Sequence, residues 1–133
     1  MQNLSRFVGG TAAAIAVAAA LSCGGSSSTS PSGTCTPSTN ANTLVIMNNA
    51  ICPQALTVTR GSQVTIFNQD SRTHEMFSDP HPEHTDCPEL NQIGTLNTGQ
   101  SRSSGNLNTA RRCGMHDHGD PNNASLKATI TIQ

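Results

Sequence analysis

From Thr43 onward, apolar and polar residues alternate in short, β-branched runs. Thr43 to Met47, Leu56 to Arg60, Gln63 to Asn68 and Leu126 to Ile132 each read as a strand. Leu56 and Val58 alternate with threonines, as do Ile130 and Ile132, so these strands have one face to bury. Gly61, Gly99 and Gly105 supply turns, Pro80, Pro82 and Pro88 interrupt the middle, and no segment carries a helical period. Many short strands between turn signals predict an all-β fold, an antiparallel sandwich or barrel. The chain has no internal repeat.

The region before Thr43 follows different rules. Arg6 opens it with a positive charge, and an alanine-rich apolar run extends from Phe7 to Leu21. That layout predicts a secretory signal peptide over residues 1–22, too short for a comfortable membrane span. Cys23 follows Ala20-Leu21-Ser22, an arrangement similar to a bacterial lipobox, and is therefore the expected lipidation site. Residues 23–42 are rich in Ser, Thr, Gly, Pro and Asn and cannot bury enough surface to offset their ordering entropy. They read as a flexible tether between a membrane anchor and a domain at 43–133. The expected location is outside the cytoplasm, in the periplasm or cell envelope, with the membrane contacted through the lipid anchor only.

Charge narrows the range of partners. The 133-residue chain has seven basic and eight acidic residues, and removing the leader takes away Arg6. A balance this close to neutral gives no electrostatic reason to expect nucleic acid. All eight acidic residues and all five histidines fall at or after Asp70. Beyond Cys23 there are four cysteines: Cys35, Cys52, Cys87 and Cys113. An even set in an oxidising compartment suggests disulfides, from which a small domain in a chain with only three Phe and no Trp or Tyr would gain. Cys35 and Cys52 flank the first strand, which favours their pairing.

The histidines are clustered: His74, then His81 and His84, then His116 and His118. Cys87, Cys113, Met76 and Met115 lie among them. Imidazole and thiolate are borderline or soft ligands that suit copper or zinc better than hard cations.

The order of these pieces resembles the cupredoxin family (plastocyanin, amicyanin and azurin relatives). Leu56-x-Val58-x-x-Gly61-x-x-Val64-x-Ile66-x-Asn68-x-Asp70 followed by His74 is similar to the strand, turn and strand that precede the family's first copper histidine. Thr98-Gly99-Gln100-Ser101 resembles its Pro-Gly-x-Ser turn, Cys113-Gly-Met-His116 its Cys-x-x-His ligand loop, and Leu126 to Ile132 its last strand. The resemblance covers about Leu44 to Gln133. It implies a Greek-key β-sandwich binding one copper ion through His74, Cys113 and His116, with single-electron transfer to a redox partner protein. Leu126 stands where the family has its axial methionine, and leucine cannot coordinate. Either the site is three-coordinate, or His118, Met115 or Met76 supplies a fourth ligand, or the metal site differs from the family's. The stretch Asp79-Pro-His81-Pro-Glu-His84-Thr-Asp-Cys87 departs from the family pattern. It is either an enlarged metal mouth, using His81, His84 and Cys87, or a proline-stiffened surface loop.

Cysteine chemistry decides between two sites. If Cys87 and Cys113 are joined, Cys113 is no thiolate, and the site is a histidine site built on His74, His116 and His118. The protein is then a copper-binding or delivery module that meets a copper donor or acceptor. His116-Asp-His118-Gly-Asp120 also faintly resembles a stretch of copper–zinc superoxide dismutases, but no histidine follows His118. No nucleophile elbow or phosphate loop is present, and Asp117 and Asp120 read as solvated loop residues. Catalysis by protein side chains is therefore not expected.

Overall fold

A computed structural model of the protein describes residues 35–133. The expected signal peptide, Cys23 and the tether up to residue 34 lie outside the described residues. Nine strands form two sheets: β1 (Thr43–Met47), β2 (Ala50–Cys52), β3 (Ala55–Val58), β4 (Thr65–Asn68), β5 (His74–Ser78), β6 (Gly94–Leu96), β7 (Ser101–Ser103), β8 (Arg111–Asp117) and β9 (Ala128–Ile132). One sheet has the order β2-β1-β4-β7 and the other β3-β9-β8-β5-β6. Among the described residues, no helix is long and apolar enough to cross a membrane.

The inward residues of the two sheets make the core that the alternation calls for. Leu44, Ile46 and Ile66 face Met76, Met115, Ile130 and Ile132. Each such side chain, fully buried, contributes about 1.5–3 kcal/mol. The sheets are mixed rather than purely antiparallel: β1 runs parallel to β4, and β3 parallel to β9. The chain leaves the first sheet for β3 and returns in β4, so a hairpin no longer dictates the direction in which strands meet.

Two disulfides are present among the described residues. Cys35 pairs with Cys52, as its place beside the first strand favours, and Cys87 pairs with Cys113. The second bond matters for the site. It ties the proline-rich loop after β5 to the middle of β8, and both half-cystines are completely buried.

Candidate metal centre

The segment read as a ligand loop is a strand. β8 continues from Arg111 through Cys113 and His116 to Asp117, pairing with β5 at Met76↔Asp117, Phe77↔His116 and Ser78↔Met115. Side chains alternate across a strand, so residues an odd number apart point to opposite faces. Cys113, Met115 and Asp117 turn inward, whereas His116 and His118 turn to the outer face of the sheet. Cys113 and His116 therefore cannot share an ion. Cys113 is also half of a disulfide, so neither it nor Cys87 offers a thiolate. Met76, Met115 and Leu126 are fully buried in the apolar core and are equally out of reach.

His74 is placed elsewhere too. It begins β5 on the inward face, is 1% exposed, and has carboxylates at both ring nitrogens. Its Nδ1 lies 2.7 Å from Oδ2 of Asp117 and its Nε2 lies 3.1 Å from Oδ2 of Asp70. Burial would raise the carboxyl of Asp117, but the bond to His74 and the backbone N–H groups of Glu75 and Gly119 outweigh it and hold the acid below its usual range. Asp70 is lowered against burial in the same way, by the N–H groups of Asn49 and Ser71 and by His74. Asp117 is thus a buried, committed carboxylate rather than a solvated one. The inner end of the sheet, where a first copper histidine was expected, holds an ion network.

The outer face assembles a different set. His81, His84, His116 and His118 each offer a ring nitrogen, and these atoms all lie within 4.8 Å of one another. His116 and His118 come from one face of β8, and the ladder extends past the strand through His118 N–H donating to the Glu75 carbonyl at 2.7 Å. His81 and His84 come from the loop. The His84 N–H donates to the Pro80 carbonyl at 2.7 Å, and the Asp86 N–H to the Asp79 carbonyl at 2.8 Å. Asn91 clips the loop to β5: its amide donates to the His84 carbonyl and its oxygen accepts from the Ser78 N–H, both at 2.9 Å. Phe77 is the floor, with its ring stacked on His84 at 4.7 Å and edge-on to His118 at 5.6 Å. His84 is held below the usual imidazole range, first by burial and then by repulsion from His116, His118 and His81, with Glu83 pulling the other way.

His116 is the best-oriented of the four. Its Nδ1 donates to Oδ1 of Asp79 at 2.6 Å, which leaves the Nε2 lone pair free. That Nε2 is buried with no hydrogen-bond partner. A buried acceptor without a partner costs about 1–3 kcal/mol unless something else binds it. A carboxylate on one imidazole nitrogen and a free lone pair on the other is how proteins prepare a histidine for a metal. Asp79 reaches this position because residue 114 is glycine: a Cβ there would lie 2.0 Å from Oδ2 of Asp79.

All four histidines are candidates from sequence, whereas Asp79, Gly114 and Phe77 become functional residues only in the folded structure. The usable signal is the even spacing of Gly114, His116 and His118, which puts Gly114 and His116 on one face of β8 and His118 just past its end.

No family model matches the sequence, and no curated protein does either. Solved structures do. A novel purple cupredoxin from Nitrosopumilus maritimus superposes with a TM-score of 0.54 at 19% identity, covering 71% of this chain and all of the other. An oxidised plastocyanin from Dryopteris crassirhizoma gives 0.54 at 18%, covering 68% and 99%. The chain has a cupredoxin fold. A Cu(I) form of an amicyanin variant is similar as well, with a TM-score of 0.52 at 16% identity over 70% and 82% of the two chains. On this cupredoxin scaffold the four imidazoles stand on the outer face of a sheet, while the inner end carries His74 between two carboxylates.

Proposed function

We propose that the protein binds one copper ion in the cell envelope through His81, His84, His116 and His118, as a histidine-ligated copper-binding or delivery module. The observation that carries this is the unpartnered, buried Nε2 of His116, aimed among three further imidazoles while Asp79 holds its other nitrogen. Four neutral imidazoles suit copper or zinc, and the cupredoxin fold, shared with an amicyanin variant in its Cu(I) form, favours copper. When bound, the ion would supply a redox-active or transferable centre. The chain's own residues hold the rings: Asp79 orients His116, Phe77 packs against His84 and His118, and Asn91 ties the loop down. Export and a lipid anchor at Cys23 remain the reading of the N-terminal segment.

Single-electron transfer with a redox partner protein is the second reading. It is favoured by the Cys87–Cys113 bond, which joins the loop bearing two of the imidazoles to the strand bearing the other two and so limits their rearrangement.

The test is metal loading of the full chain, followed by metal analysis, optical spectroscopy and electron paramagnetic resonance. One equivalent of copper, a pale spectrum and nitrogen hyperfine structure are expected. His84→Ala and His116→Ala should each remove most of the affinity. An intense thiolate-to-copper band, or copper binding unaffected by both substitutions, would overturn the assignment.

A further inference from the structure

The four imidazoles are not equally covered. Phe77 packs against His84 and His118 and closes that side of the cluster. His81 and His116 instead line a cavity of about 500 Å³, which neither His84 nor His118 borders. Its other polar walls are Asp79, Asn122 and Lys127, with two prolines completing the surface. Asp79 already accepts from His116 Nδ1, so part of its charge is committed to a ligand ring. Lys127 and Asn122 line the cavity together with the two imidazoles, so a cationic and an amide side chain belong to its wall. The cluster thus has one closed side and one side that opens onto a cation and an amide.

We propose that this cavity binds a small anion, which coordinates the metal from the His81/His116 side and is held at its other end by Lys127 and Asn122. The inference rests on the four-histidine reading and adds to it a ligand class and a direction of approach. A cationic side chain in the wall of the same cavity favours an anionic ligand over a neutral one of the same size. An amide beside it supplies a directed hydrogen bond. The cavity is far too small for a folded partner and ample for an ion of three or four atoms. It reaches the cluster from a side that Phe77 does not cover.

The test uses the full chain loaded separately with Cu(II) and Co(II), with azide as the probe. Metal content is measured first. Azide should produce a new charge-transfer band with Cu(II), shift the ligand-field bands of Co(II), and saturate as a single site. Lys127→Gln, compared at matched metal occupancy, should raise the apparent azide dissociation constant about five-fold, and Lys127→Arg should largely restore it. Added salt should weaken azide binding to the parent protein more than to Lys127→Gln. If metal binds and azide leaves both spectra unchanged, the anion site is overturned while the histidine site stands. Azide binding that is indifferent to Lys127→Gln also overturns it. If neither metal binds, the four-histidine reading and the anion site fall together.

Discussion

Oδ1 of Asp79 sits 2.6 Å from Nδ1 of His116, and the same carboxylate occupies the space that a side chain on residue 114 would fill. The loop that carries two metal-binding candidates therefore meets the β8 side of the cluster here through the Asp79–His116 bond and a close approach over Gly114. Beside these, the Asp79 N–H donates to the Gly114 carbonyl at 2.9 Å, and Cys87 is bonded to Cys113. Gly114 follows an ordinary strand course, so its role lies in close approach and not in backbone freedom.

Gly114→Ala should weaken metal binding without unfolding the domain. The added Cβ would push Asp79 off His116, and losing such an outer carboxylate typically costs about 10–100-fold in metal affinity. Asp79→Asn should fall in the same range. Competition with a chelator of known affinity measures both. Wild-type affinity in Gly114→Ala would mean that the Asp79 contact does not prepare the site.

His74→Ala should do the opposite. It removes the partner of two carboxylates, one of them fully buried, and breaking a buried pair from one side costs about 3–5 kcal/mol. Thermal melting should show a large loss of stability. The protein that remains folded should still take up one copper. Loss of copper from a fully folded His74→Ala protein would return this residue to the ligand set.

Non-reducing peptide mapping should recover Cys35 joined to Cys52 and Cys87 joined to Cys113. Replacing Cys87 and Cys113 together by Ser should lower stability by about 3 kcal/mol, the order expected for a bond closing a loop of this length. Copper affinity should drop with it, because the His81/His84 loop is no longer fastened to β8. A double variant that binds copper as tightly as the parent would show that Asn91 and the Asp79 contact suffice.

Acid should destabilise the metal-free protein in a defined window. Asp70 and Asp117 are both held below their ordinary carboxylate range in the folded state. A depressed carboxylate contributes stability above its unfolded value, near pH 4, and loses it as pH falls through the folded value. The melting temperature should accordingly fall steeply below about pH 4, beneath a milder decline that sets in below about pH 6.5, where His84, held below its usual range, resists protonation in the folded state. Asp70→Asn should start lower and fall less steeply over that range. Parallel curves for the two proteins would exclude Asp70 from the acid transition.

The β-sandwich was legible in the chain because burial on one face imposes a period of two, and Leu56, Val58, Ile130 and Ile132 carry it openly. The crowding of histidines after Asp70 and the pairing of Cys35 with Cys52 were legible as well, since composition and nearness in sequence suffice for them. The grouping of ligands was not. Whether Cys113 and His116 share an ion depends on whether residues 113–117 form a loop or a strand. That choice is made by pairing with β5, a segment some forty residues away in the chain. Once the strand forms, the pleat sends Cys113 inward to meet Cys87 and sends His116 and His118 outward to meet His81 and His84. Local sequence determined which chemistry was available. Long-range strand pairing decided which face each side chain occupies, because a one-residue difference in register reverses inside and outside.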